Sequence, residues 1–217
     1  MTVDTTALWQ AIAELRKPHS HLLLGRTEKE YYEEGETDLK RLLQPHILQL
    51  QKKFSRISTL EIGPGLHRFQ IPLLRILRPG DTPVVVDIVE RFLKAAPPGV
   101  RTECDIRDVP TGSISFLFQI GVFQHLPVEV RDFYAEEITR VVRPGGIIFM
   151  QFPKAEGTYY WEKPTLHCFT YHEVKKLFRH GWRTTVVDGN LCRYFLLKGP
   201  EEWGKEKREW FLIGERR

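Results

Sequence analysis

The chain has 217 residues, of which 41% are hydrophobic and 28% charged. That length suits one domain of ordinary size, and that composition excludes global disorder. The 32 Lys and Arg exceed the 28 Asp and Glu by +4, a surplus too small to point to nucleic acid. Glu201–Arg217 interleaves five acids with five bases and reads as a solvated face or terminal helix. Cys104, Cys168 and Cys192 form no CxxC pair and leave one over. This pattern speaks against a disulfide framework or zinc site and for a reducing cytoplasm. No Lys/Arg-led apolar stretch opens the chain, so no secretory signal is expected. The most apolar segment, Ser113–Val128, is interrupted by Gln119, Gln124, His125 and Pro127, which makes it core and not membrane.

In chain order, the first ~55 residues mix polar and apolar positions helically and suggest a cap or lid. Ile57–Ile62 reads as a strand, ended by the glycines at 63 and 65. A helical stretch over Phe69–Leu77 stops at Arg78-Pro79-Gly80, and Pro83–Asp87 is a short β-branched strand of the kind buried on both faces. Val89–Ala96 is helical, Val100–Cys104 a weaker strand and Ser113–Gln119 a fourth strand. Val128–Val142 is a helix, Ile147–Phe152 a fifth strand, and Thr170–His180 a helix closed by Gly181. Trp182–Val187 and Tyr194–Lys198 read as a final hairpin turned at Asp188-Gly189-Asn190. Strands separated by helices, with a closing hairpin, predict a doubly wound α/β sheet whose last strand is antiparallel.

The turn Thr59-Leu60-Glu61-Ile62-Gly63-Pro64-Gly65 falls where the first strand gives way to a helix. Glycines there let a ligand approach the backbone with no Cβ in the way. The third glycine of a dinucleotide fingerprint is missing, since Arg68 holds that position, and this disfavours a nicotinamide cofactor. Asp87 ends the second strand, 24 residues beyond Gly63. It faces two readings, a carboxylate for a ribose diol or an N-cap for the following helix.

LEIGPG, VVVDIVERFLKAA, CDIRDVP, FQIGVFQHLP, ITRVVRPGGIIFMQFP and FTYHEVKKLFRHGW, in that order, resemble class I S-adenosylmethionine-dependent methyltransferases over about residues 30–198. The resemblance implies a Rossmann-like seven-stranded sheet, with a helical cap at 1–55, a cofactor-binding core at 56–200 and a charged tail at 201–217. It implies that Glu61, Gly63 and Gly65 surround the methionine part of S-adenosylmethionine, that Asp87 holds the ribose and that Ile88 packs on the adenine. It places Asp105 and Ile106 at the adenine amino edge and Gln119 beside the sulfonium and amino-acid end. Tyr31-Tyr32-Glu33-Glu34-Gly35 is similar to the segment that closes over the cofactor, so a hydroxyl from Tyr31 or Tyr32 would meet its carboxylate. Two positions depart from the family pattern. His67 replaces the third small residue of the turn and is expected to point out of it; Ser115 replaces the usual Asp of the fourth strand and should act on sheet hydrogen bonding.

Methyl transfer is an in-line displacement that needs a base only when the acceptor must lose a proton. His125, just past the fourth strand, is a candidate base or a supporting residue, and His167 is a second candidate. The long insert Pro153–Cys168 puts Tyr159, Tyr160 and Trp161 in a row, as an acceptor wall or as a loop anchor. With Phe123 and Phe152 they would form a largely aromatic lining suited to a neutral acceptor. The fourth strand lacks the Asp/Asn-Pro-Pro-aromatic signature of base amine methylation, and no acidic cluster suggests magnesium. The expected activity is thus metal-independent methylation of an O or N atom in a small metabolite or natural product, without nucleic acid or membrane as partner. RNA or protein methylation and a catalytically inactive binding protein are the alternatives.

Overall fold

Five runs rich in β-branched and aromatic residues become parallel strands. The computed structural model describes residues 27–154, 167–189 and 209–217. The strands are β1 (Ser58–Ile62), β2 (Thr82–Val86), β3 (Arg101–Glu103), β4 (Ile114–Gln119) and β5 (Val142–Pro153). With β6 (Trp182–Gly189) and β7 (Glu209–Arg216) they form one seven-stranded sheet of order β3-β2-β1-β4-β5-β7-β6, β7 lying antiparallel to both neighbours.

Alternation over Phe116–Phe118, with a register shift between Ile114 and Phe116, divides the core in two. Phe116 and Phe118 face one layer, whereas Ile114 and Leu117 join the other. The first layer is closed by the N-terminal helices, α1 (Glu28–Asp38), a π-helical turn (Leu39–Leu43) and α2 (Gln44–Lys53). Thr27 starts α1 with a capping box, its hydroxyl taking the Glu30 N–H. Leu39, Leu42, Leu43, Ile47 and Leu50 pack with Phe116, Phe118, Phe149 and Phe211. Residues 39–53, expected as a cap, therefore form one layer of the doubly wound core. The helices α3 (Gln70–Leu74) and α4 (Glu90–Lys94) are single short turns, shorter than their periodicity suggests. On the opposite layer, α5 (Val128–Val141) and α6 (Tyr171–Leu177) bury Ile138, Val141 and Val174 against Leu60, Val84 and Ile148.

The last strand differs from the expected hairpin. The antiparallel partner of β6 is Glu209–Arg216, with Trp182 opposite Arg216 and Gly189 opposite Glu209. Tyr194–Lys198 and Asn190 lie outside the described residues. The charges of the C-terminal segment bracket the apolar run Trp210-Phe211-Leu212-Ile213, and Phe211 and Leu212 are fully buried. Counting charge over the segment hid that run; residues 209–216 are a sheet strand and not a solvated tail. Ser115 behaves as expected, its hydroxyl accepting the Ser58 N–H at 3.1 Å where β1 begins.

Because Phe211 sits between β5 and the α2 layer, Phe211→Ala should cost about 3–5 kcal/mol. Urea unfolding of the two proteins measures this, and a change under about 0.5 kcal/mol, the surface range, would put β7 outside the core.

Candidate active site

The β1–β2 ladder continues one residue into the turn, where the Gly63 N–H donates to the Val86 carbonyl at 2.8 Å. Gly63 and Gly65 both take left-handed φ, 68° and 51°. A side chain at Gly63 would meet Val122 as well, because a Cβ there would lie 2.5 Å from Val122 Cγ2. The turn is therefore packed against the loop that leaves β4. His67 follows in the left-handed region too, at φ 60°. Its side chain leaves the turn, as expected, but toward the interior. It is buried, and Nε2 donates to the Phe92 carbonyl of α4 at 2.7 Å. Burial lowers its pKa, so it is a neutral strut between turn and helix.

Asp87 emerges from β2 beside this turn. Its Oδ1 accepts the Val89 N–H at 2.9 Å, and the Gly65 N–H also stabilises the carboxylate. Asp87 thus turns the chain before α4, whose N-cap is Val89, and faces the glycine turn at once. Burial nevertheless pushes its pKa up to about 6. Glu61, on β1, is buried and accepts from Gln70 Nε2 at 2.6 Å, and burial raises it to about 7. Both acids are thus raised chiefly by burial beside the glycine turn. Ile88, beside Asp87, is 41% exposed, a large apolar side chain the core does not use.

Other expected contacts are placed differently. Asp105 caps a 3-10 turn through the Arg107 N–H and forms an ion pair with the Arg107 side chain, which holds its pKa low. Ile106 is buried in the main core, so only its backbone could meet an adenine edge. The Tyr32 hydroxyl donates to the Leu66 carbonyl at 3.0 Å, which ties α1 onto the glycine turn, and Tyr31 is buried beside it. Gly35 lets α1 lie that close, since a Cβ there would stand 2.6 Å from the Arg68 carbonyl. Gln119 has both ends of its amide engaged, donating to the Gln151 carbonyl at 2.6 Å and accepting the Val122 and Phe123 N–H groups. It therefore shapes the β4 exit from within.

On the acceptor side, His125 closes a 3-10 turn (Phe123–His125) and is half-buried. The His167 N–H donates to the Gln124 carbonyl at 2.7 Å, bringing the two histidine segments together. His167 Nε2 meets Glu173 at 3.2 Å and its ring stands edge-on to Phe169, while burial, then Arg131, lowers its pKa. Phe123 and Phe152 are fully buried and pack on each other and on Tyr134 and Phe169. Both belong to the buried core behind the ends of β4 and β5. Tyr159, Tyr160 and Trp161 lie outside the described residues.

Sequence reasoning passed over two side chains. Tyr134, counted only as an apolar helix position, is raised to about 12 by burial and by the charges of Asp105 and Asp87, which places it in the field of the site. Gln151 was subsumed in a strand, although a buried glutamine in an apolar run is itself a signal.

A family model described as a methyltransferase domain matches residues 60–150. Over that stretch the chain is similar to a methyltransferase domain. No curated protein matches the sequence. Phosphoethanolamine N-methyltransferase 1 from Haemonchus contortus, solved with phosphoethanolamine and S-adenosylhomocysteine, is 15% identical with a TM-score of 0.67 and shares its fold. That match covers 100% of this chain but 50% of the nematode enzyme. A SAM dependent methyltransferase from Archaeoglobus fulgidus is 14% identical with a TM-score of 0.62, over 85% of this chain and 94% of that one. The cyclase SpnF, 14% identical with a TM-score of 0.58 over 77% and 78% of the two chains, shows that the fold also houses other chemistry. Among the described residues no cluster of three His, Cys, Asp or Glu could hold a metal, and no helix is long and apolar enough to cross a membrane.

The raised Glu61 has a consequence for stability. A carboxyl with a higher pKa folded than unfolded binds more protons in the native state, so its contribution is fullest below the unfolded value and is lost as pH rises. Between the ordinary Glu value near 4.5 and about 7, wild type should lose stability relative to Glu61→Gln. Thermal unfolding of both proteins across that range checks the sign; a gap that stays constant would mean Glu61 titrates normally.

Proposed function

We propose that this protein transfers a methyl group from S-adenosylmethionine to an oxygen or nitrogen atom of a small metabolite or natural-product intermediate. The observation that carries the reading is Asp87, set against the Gly65 N–H and next to the exposed Ile88. The residues fit the cofactor. Each carboxylate oxygen has lone pairs beyond those taken by the loop, so Asp87 can still accept from a ribose diol. Ile88 offers an apolar face to the adenine, and the left-handed glycines leave room for the amino-acid part. When bound, the cofactor supplies a methyl group on a sulfonium, displaced in line by the acceptor's lone pair.

The chain's own work is alignment and proton removal. The glycine turn and the β4 exit loop fix the donor side, and the loops after β4 and β5 form the acceptor side. His125, or His167 brought beside it by the Gln124 contact, takes the proton from an acceptor that must lose one. Support for a small acceptor comes from neighbours of the same fold, including the nematode enzyme solved with phosphoethanolamine. The aromatic residues at 159–161 belong to the acceptor wall in this reading, and no metal takes part.

Calorimetry should show binding of S-adenosylmethionine and S-adenosylhomocysteine and negligible binding of NAD. Asp87→Ala removes hydrogen bonds to a charged group worth about 1.5–3 kcal/mol each, so affinity should fall at least about tenfold. Preferential NAD binding would sink the assignment. Labelled cofactor incubated with a metabolite extract, followed by mass analysis, identifies the acceptor. With it in hand, His125→Ala should slow transfer about 10²–10⁴-fold; an unchanged rate would leave alignment as the whole mechanism.

A further inference from the structure

The β4 exit loop has an unusual backbone arrangement. Three consecutive N–H groups are held by two buried glutamines: Gly121 donates to Gln151 Oε1 at 2.8 Å, and Val122 and Phe123 donate to Gln119 Oε1 at 3.1 and 3.4 Å. Both glutamines are fully buried. An amide can be turned end for end, and only one orientation serves the loop. Gln119 is oriented because its Nε2 donates to the Gln151 backbone carbonyl at 2.6 Å. Gln151 is oriented by Glu209, the first residue of β7, whose Oε1 accepts from Gln151 Nε2 at 3.0 Å. With its Nε2 donating to Glu209 Oε1, the amide leaves its own Oε1 for Gly121. Glu209 is itself buried.

What the loop touches gives this relay its purpose. Val122 lies against Gly63, close enough that one added carbon on the glycine would clash with it. The loop is thus a wall of the glycine turn. Gly121 has φ 78°, so its N–H is presented by a backbone shape that most side chains would strain.

We infer that Glu209 and Gln151 are a positioning pair that sets the wall of the cofactor site at its amino-acid end, from a strand 58 residues away in sequence. This rests on the cofactor reading above. Neither side chain touches the ligand; both act through Gly121–Phe123. The pair should matter to a ligand that fills the amino-acid end and little to one that stops at the ribose. The roles of the two residues are also exchangeable. A carboxylate at 151 would accept the Gly121 N–H and an amide N–H from residue 209.

The experiment compares wild type, Gln151→Met and the exchanged protein Gln151→Glu/Glu209→Gln, titrating each with S-adenosylhomocysteine and, separately, with adenosine. Losing the Gly121 bond should lower S-adenosylhomocysteine affinity at least about tenfold in Gln151→Met, with adenosine within about threefold. The exchanged protein should recover S-adenosylhomocysteine binding to within about threefold of wild type. Unchanged S-adenosylhomocysteine affinity, an equal loss of both ligands, or no recovery on exchange would overturn the inference. If Gln151→Met does not fold, Glu209→Leu, which keeps Gln151 but frees its amide to turn, should give the same selective loss. Wild type that binds neither ligand would refute the methyltransferase reading instead. The pair is then judged by hydrogen exchange at the Gly121 amide, expected to be about tenfold faster in Gln151→Met and restored by the exchange. Unaltered Gly121 protection would overturn it.

Discussion

The hydrogen bond from the Gly63 N–H to the Val86 carbonyl extends a strand ladder into a turn, and the site depends on that extension. It pins the glycine turn to the end of β2. Asp87, the next residue of β2, then has the Gly65 N–H for its carboxylate. The same closeness fixes what stands opposite. Val122 fills the space left by the missing Cβ of Gly63, and α1 lies over the turn through Gly35 and the Tyr32 hydroxyl. Segments far apart in sequence are gathered on one backbone turn because Gly63 in the turn and Gly35 in α1 have no side chain.

Burial at this turn has an electrostatic cost that the fold only partly offsets. Asp87 receives two backbone N–H groups and Glu61 one amide, yet both remain well above ordinary carboxyl values. A group hydrogen-bonded to that extent and still shifted upward is short of partners for its charged form. A ligand bringing hydroxyls or a positive amino group would supply them, so ligand binding and carboxylate ionisation favour each other.

The parallel half of the sheet was legible because its cues are local. PVVVD and SISFLFQ are compact apolar runs; Arg143-Pro144-Gly145-Gly146, expected between helix and strand, instead lies within β5, which starts at Val142 directly after α5 and is irregular there. The glycine turn and Asp87 were legible for the same reason. β7 was not. Its apolar run sits among ten charged residues, and its partner Phe149–Phe152 lies about sixty positions earlier, so no window of sequence contains the pairing. The side-chain directions of Gln119 and Ile106 were not legible for a different reason. Position along a motif says which strand end a residue occupies, but not whether its side chain turns to the crevice or into the core. Ile106 turned inward with the apolar layer, and Gln119 was drawn to backbone donors with no other acceptor.

The insertion of β7 between β5 and β6 also bears on how the chain assembles. β6 precedes β7 in sequence yet touches the sheet only through it. When β6 has been made, it has no neighbour to join, and the β5 edge, with Phe149, Met150 and Phe152, remains open. Both wait for residues 209–216, and then close together in one step of long sequence separation, the kind that loop-closure entropy makes slow. During that interval the most apolar strand edge of the protein is available to any other extended chain. Synthesis order thus makes β7 the latch of the sheet, and the same strand delivers Glu209 to the site. Completion of the sheet and completion of the support beneath Gly121 are a single event.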